Sequence, residues 1–142
     1  MNREEIKKIL PHREPMLLVD EADVNEDGTF TGKYTVKGDE FFLQGHFPEN
    51  PIVPGVILCE MMAQSAAVLF QEDIGDNKLF VYTGIDKVKF RESVRPGDTV
   101  IFHGEVTRVM KPFYFIHGEA TVGEKRCMNG NFSFASVEAK KS

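Results

Sequence analysis

Apolar residues run along this chain in two rhythms, and the rhythms predict its elements. Near the start, Asn2 is placed to cap a short helix, with Glu5 at the capping-box position and Ile6, Ile9 and Leu10 on one face. Pro11 ends it. Met16-Leu17-Leu18-Val19 reads as a buried strand or strand-like segment, and Asn25-Glu26-Asp27-Gly28 as a turn. Phe30, Gly32, Tyr34 and Val36 then alternate with Thr31, Lys33 and Thr35, the period of a strand with one buried face. From Leu79 onward the pattern is that of strands, at 79–91, 99–109, 113–122 and 125–137. Arg95-Pro96-Gly97-Asp98 and Val122-Gly123-Glu124 mark turns between them, and short turns imply antiparallel pairing.

One segment breaks the two-residue rhythm. From about Pro54 to Glu72 the chain reads as a helix that is apolar nearly all the way round, its end marked by Gly75-Asp76-Asn77. A helix of that kind is buried on most sides. One buried helix with a strongly curved antiparallel sheet around it satisfies both rhythms, so the expected class is α+β, in a single domain over residues 1–142.

Composition narrows the class without naming a function. At 142 residues and 16.1 kDa, with 42% hydrophobic and 27% charged residues, the chain has the make-up of a soluble globular protein with a real core. Its net charge of -5 argues against nucleic acid as the main partner. No apolar signal region follows Met1, and the apolar stretch from Val56 to Phe70 is interrupted by Glu60, Gln64 and Ser65. It also falls short of the roughly 20 residues that a membrane span takes. A cytoplasmic setting is expected. Cys59 and Cys127 form neither a disulfide framework nor a metal cluster and read as reduced core residues.

The candidate chemistry sits where a loop meets the helix. His46 opens the run Gly45-His46-Phe47-Pro48-Glu49-Asn50-Pro51-Ile52-Val53-Pro54-Gly55-Val56, and Glu60 follows fourteen residues after it. Prolines at 48, 51 and 54 fix φ along the loop, which limits the freedom a catalytic base must otherwise lose. Glu60 lies among Val56, Ile57, Leu58, Cys59, Met61 and Met62, so it is either paired or desolvated; desolvation raises a carboxyl pKa toward neutrality. Gln64, at i+4, either orients Glu60 or holds a water, or else ties helix to sheet. Gly55, near the helix start, offers an unsatisfied N–H to developing negative charge, or serves close packing, and both can hold at once. His12, His103 and His117 are scattered, so no metal site is expected, and no Gly-x-Ser-x-Gly offers a serine nucleophile. Lys87, Lys89 and Arg91 alternate with Val88 and Phe90, placing three bases on one face of a strand; this is a solvated face or, extended by Arg95, a surface that steers an acidic partner.

Several of these runs together resemble the FabZ-type 3-hydroxyacyl-acyl-carrier-protein dehydratases. The matching residues are Leu10-Pro11-His12-Arg13 with Pro15, Leu17-Leu18-Val19-Asp20, Gly45-His46-Phe47-Pro48, Pro54-Gly55-Val56, Glu60 with Met62-Ala63-Gln64, Gly84-Ile85-Asp86-Lys87 and Pro96-Gly97-Asp98. The resemblance spans nearly the whole chain, in order. It implies a hot-dog fold and reversible loss of water from a (3R)-3-hydroxyacyl thioester on acyl carrier protein, without any cofactor. It assigns removal of the C2 proton to His46, the departing hydroxyl to Glu60, and polarisation of the thioester carbonyl to the Gly55 amide. It implies a homodimer or a trimer of dimers, with His46 and Glu60 of one site on different subunits. Acyl carrier protein, being acidic, becomes the candidate partner of Lys87, Lys89, Arg91 and Arg95. Met16, Glu49 and Val53 depart from the family's usual residues, which bears on acyl-chain length rather than on the chemistry; Glu49 would add a charge near His46.

Overall fold

The computed structural model describes residues 1–74 and 77–138. Among these residues, six strands form one antiparallel sheet: β1 (Glu21–Val24), β2 (Phe30–Thr35), β3 (Lys78–Phe90), β4 (Thr99–Met110), β5 (Phe113–Val122) and β6 (Lys125–Glu138). Their order across the sheet is β1-β2-β4-β5-β6-β3. Strands β4, β5 and β6 follow one another through tight turns, as expected from their spacing. Strands β2 and β3 lie far apart in the sheet, so the chain between them must cross its face. That crossing contains α2 (Gly55–Ala66), and the sheet curls round it as a hot-dog fold.

The helix is pressed close to the sheet. A Cβ on Gly32 would fall 2.3 Å from the Ser65 Cβ, and one on Gly118 would fall 2.7 Å from the Met62 sulfur. Only glycine at these strand positions lets the helix seat so near. Met61, Met62, Ser65 and Ala66 are wholly buried beneath it.

The N-terminal helix α1 (Arg3–Ile6) is capped as its sequence predicts: Asn2 Oδ1 accepts from the Glu5 amide at 2.9 Å and Glu5 Oε1 accepts from the Asn2 amide at 3.2 Å. Two expectations need correction. Met16–Val19 is buried at Leu17, Leu18 and Val19 but joins no strand, and the first strand is β1 instead. Side chains take the place of a strand partner here. Arg3 donates to the carbonyls of Leu17 (3.0 Å) and Val19 (3.4 Å), and Gln64 binds the amide of Leu18 and the carbonyl of Met16. In β1 the charged Glu21 and Asp23 flank a buried Ala22, too thin an apolar signal to mark a strand.

The second correction concerns the helix end. Regular α-helix stops at Ala66, and Ala67–Asp73 continues as tighter 3-10 turns broken at Phe70 (φ -120°, ψ 29°). This continuation turns Phe70 onto Phe80 (5.1 Å between ring centres) and Tyr114 (4.8 Å). Of the predicted stop signal, Gly75 and Asp76 lie outside the described residues; Asn77 adopts a left-handed φ of 64°. No helix is long and apolar enough to cross a membrane among the described residues.

Candidate active site

His46 is held by its own loop. Gly45 (φ 79°) and Phe47 (φ 51°) both take left-handed conformations, which reverse the backbone on either side of it. Such strain at a non-glycine persists only where the surroundings enforce it. Here the amide of His46 donates to Leu43 O at 3.2 Å and that of Asn50 to Phe47 O at 2.8 Å. The loop is tied to the segment after β3 by the Val53 amide on Val94 O (2.8 Å) and by Arg95 on the Asn50 side chain. His46 Nδ1 lies 2.9 Å from Ile52 O. A carbonyl only accepts, so Nδ1 carries the hydrogen and, in the neutral imidazole, Nε2 keeps its lone pair. That is the tautomer a base needs.

An open cleft of roughly 590 Å³ brings His46 together with the start of α2. Gly55 and Val56 line it from the helix, with Phe90, Arg91 and Glu92 on the far wall. The amides of Ile57 and Leu58 both reach back to Pro54 O (2.9 and 3.3 Å), leaving those of Gly55 and Val56 without a partner among the described residues. Both readings of Gly55 hold. A Cβ there would meet the Phe90 ring at 2.9 Å, so the glycine also permits close packing.

Glu60 faces a second cleft, of roughly 320 Å³, together with His12, Gln64 and Tyr82. Its side chain is 28% exposed. Gln64 Nε2 donates to Glu60 Oε2 at 2.9 Å and to Met16 O at 2.8 Å, while Gln64 Oε1 accepts from the Leu18 amide at 2.7 Å. So Gln64, 1% exposed, both orients Glu60 and ties the helix to the N-terminal segment. Of the two alternatives for Glu60, paired or desolvated, pairing prevails. Burial is the strongest single influence and pushes the carboxyl up, but hydrogen bonds from His12 and Gln64, with the charge of His12, together outweigh it. Glu60 is held below the ordinary carboxylate value.

His12 is the residue that sequence reasoning missed. It stood among scattered histidines, yet its Nε2 lies 3.4 Å from Glu60 Oε2. The one signal was its place in Leu10-Pro11-His12-Arg13, a run quoted for the resemblance without a role for the histidine.

The basic stripe is also corrected. The pairing of β3 with β6 shifts between Asp86 and Lys89, and Lys87 sits in that bulge at φ 52°. Lys87 therefore leaves the alternation, while Lys89 and Arg91 keep it beside Asn129, which the Arg91 Nε approaches at 3.4 Å. Arg91 reaches the rim of the His46 cleft; Arg95 is engaged with Asn50. Glu49 is exposed and does not line either cleft. Val53 is buried at 4%, and Met16 is exposed at 42%. Cys59 and Cys127 are both free and buried.

A central helix wrapped by one curved antiparallel sheet, with a histidine loop at the helix start, defines a hot-dog protein. Solved structures agree on the fold. A chain of "The Dehydratase Heterocomplex ApeI:P from Xenorhabdus doucetiae" superposes with a TM-score of 0.80 at 20% identity, covering 94% of this chain and 91% of that one. The fluoroacetyl-CoA thioesterase FlK superposes with a TM-score of 0.68 at 17% identity, covering 84% of this chain and 90% of its own. Residues 10–131 match the FabA-like domain, and the chain belongs to that family. Among curated relatives, the 3-hydroxyacyl-[acyl-carrier-protein] dehydratase FabZ of Petrotoga mobilis is 46% identical over 89% of this chain and 91% of its own. The proteins of the same name from Macrococcus caseolyticus and Clostridioides difficile are 44% and 42% identical, covering 95% and 97% of this chain and 94% and 99% of their own.

Proposed function

We propose that this enzyme removes water reversibly from a (3R)-3-hydroxyacyl thioester on acyl carrier protein, giving the trans-2-enoyl thioester, as a cytoplasmic step of type II fatty acid biosynthesis. Its relatives make it a hydro-lyase, a 3-hydroxyacyl-[acyl-carrier-protein] dehydratase. His46 Nε2 takes the C2 proton; the electron pair of that bond is drawn into the thioester as enolate charge and forms the C2–C3 double bond as the C3–O bond breaks. Glu60 passes a proton to the departing oxygen, which leaves as water. The Gly55 N–H donates to the thioester carbonyl and stabilises the enolate charge. No cofactor enters this scheme.

The observation that carries this reading is the separation of the two groups. His46 and the Gly55 amide share one cleft, and Glu60 opens into another. A complete site then takes His46 and Gly55 from one protomer and Glu60 from its partner, in a homodimer or a trimer of dimers. Glu60 is ionised at neutral pH, the form that activates water in the hydration direction, which also takes a proton on His46. Dehydration runs from the state of equal charge in which the one shared proton sits on Glu60 rather than on His46. Arg91, at the cleft rim, with Lys89 and the more distant Lys87 and Arg95, offers the acidic carrier protein a basic approach.

The test follows hydration of crotonyl carrier protein by loss of enoyl-thioester absorbance. His46→Ala and Glu60→Gln each lose most activity while keeping fold and oligomer size. Near-normal turnover by either variant overturns its role, and thioester hydrolysis without hydration makes the enzyme a thioesterase instead. Mixing the two dead variants under exchange recovers up to about a quarter of wild-type activity, because half of randomly re-paired dimers hold one intact site. No recovery counts against shared sites.

A further inference from the structure

Glu60 is gripped by one oxygen only. Gln64 Nε2 and His12 Nε2 both approach Oε2, at 2.9 and 3.4 Å, and no described residue donates to Oε1. His12 is itself fixed from behind. It follows Pro11, and the Arg13 guanidinium binds the carbonyls of Leu10 and His12 at 2.9 and 2.7 Å. The His12 Nδ1 is buried without a partner among the described residues, so the imidazole makes its polar contact through Nε2 alone.

We propose that His12 is a positioning residue: with Gln64 it pins Glu60 Oε2, leaving Oε1 as the oxygen that exchanges a proton with the C3 hydroxyl. This rests on the role given to Glu60 above. The terminal torsion of a glutamate is broad and soft, so an unpinned carboxylate presents either oxygen at variable angles. The Gln64 hydrogen bond and the His12 contact at 3.4 Å, both on one oxygen, remove that freedom and favour the anion. Gln64 alone holds one edge. The His12 contact, arriving from a different segment of chain, fixes the plane.

Few other groups compete for control of this site. Tyr82, from β3, donates its hydroxyl to Cys59 O, and Cys59 precedes Glu60 on α2. Burial pushes both the tyrosine and the Cys59 thiol up, the thiol to about 11, so neither titrates in the acid range. From β6 the cleft receives only Phe134, and Arg13 is turned to backbone carbonyls. Among the described residues, the ionisable side chains that face one another in this cleft are Glu60 and His12.

The experiment uses the intact enzyme labelled with 13C at glutamate side-chain carboxyls, the Glu60 signal being assigned by its loss in Glu60→Gln. Carboxyl titration and the pH profile of kcat/KM are measured for wild type, His12→Ala and His12→Gln. In His12→Ala the Glu60 midpoint rises by about one pH unit, and the acid limb of kcat/KM rises with it. At neutral pH kcat falls about tenfold with KM little changed, as expected when geometry in the transition state is lost. His12→Gln keeps an N–H donor and returns midpoint, limb and kcat toward wild type. An unchanged Glu60 midpoint in His12→Ala overturns the proposal. So does a shifted midpoint without a shifted limb, where Glu60→Gln is inactive. If Glu60→Gln keeps its activity, the catalytic role of Glu60 falls first, and the positioning of a proton-exchanging oxygen falls with it.

Discussion

The Gly55 amide can be deleted without rebuilding the helix. Gly55 is the first residue of α2, where proline is favoured because its missing N–H has no intrahelical partner. The preceding Pro54 has ψ 140°, the extended conformation that a following proline demands. Gly55→Pro therefore keeps the backbone and removes one donor from the cleft that holds His46. Gly55→Ala is the steric control. Its Cβ would press on two Phe90 ring carbons at 2.9 Å, but Phe90 is 52% exposed and its ring can swing outward. Removing one donor from an oxyanion site lowers kcat by about 10²–10³-fold, or roughly 3–4 kcal/mol. Gly55→Pro should lose that much relative to Gly55→Ala in the crotonyl carrier-protein assay. The loss should fall on kcat rather than KM, since the interaction strengthens as enolate charge develops. If the two variants turn over within about threefold of each other, a difference below about 0.7 kcal/mol, the amide does not stabilise the transition state.

Two further outcomes test the packing and the N-terminal ion pairs. Gly32→Ala would drive a Cβ to within 2.3 Å of the Ser65 Cβ, costing about 3 kcal/mol of stability in urea unfolding at fixed protein concentration. Adding Ser65→Gly, which removes the clashing atoms, should recover about 2 kcal/mol, and additivity within about 0.5 kcal/mol would refute the contact. Glu14 is lowered to about 2 by its own backbone amide and by hydrogen bonds from Lys7 and Arg3. Its folded value lies below its ordinary one, so its stabilisation is complete above about pH 4.5 and lost as pH falls toward 2. Thermal melts of Glu14→Gln should be flatter than wild type across that window; an unchanged slope would show that the Lys7 and Arg3 contacts contribute nothing.

The fold was legible wherever local pattern and tertiary setting agree. Strands β3 to β6 fall within a few residues of their predicted limits because each has a packed face and a turn residue at its end. The N-terminal segment misled for the opposite reason. Leu17, Leu18 and Val19 carry the apolar signal of a strand, but the Leu17 and Val19 carbonyls and the Leu18 amide bond the side chains of Arg3 and Gln64, and no local rhythm encodes a partner 46 residues away. The stripe of bases failed on a bulge, which shifts alternation by one residue and leaves no mark in composition. His12 escaped on the same principle. Its importance lies in one contact across the fold, whereas Glu60 and Gln64 declared themselves as polar residues on an apolar helix.

The separation of His46 and Glu60 into two clefts follows from helix geometry, although spacing alone did not show where the two groups meet. Residues on an α-helix advance about 100° each. Gly55, Val56 and Leu58, which line the His46 cleft, therefore centre on one side, and Glu60, Ala63 and Gln64, which line the other, centre on another. The mean directions of those two sets differ by roughly 130°. A thioester whose carbonyl rests on the Gly55 amide is thus turned away, around a buried helix, from the same chain's Glu60. Yet elimination requires base and acid at neighbouring carbons, within a few ångströms of each other. The proposed scheme meets both conditions through a second helix, from a partner protomer, that brings its own Glu60 face to the cleft. On the proposed scheme, the helix that fills the core of each protomer also leaves a single protomer with two half-sites.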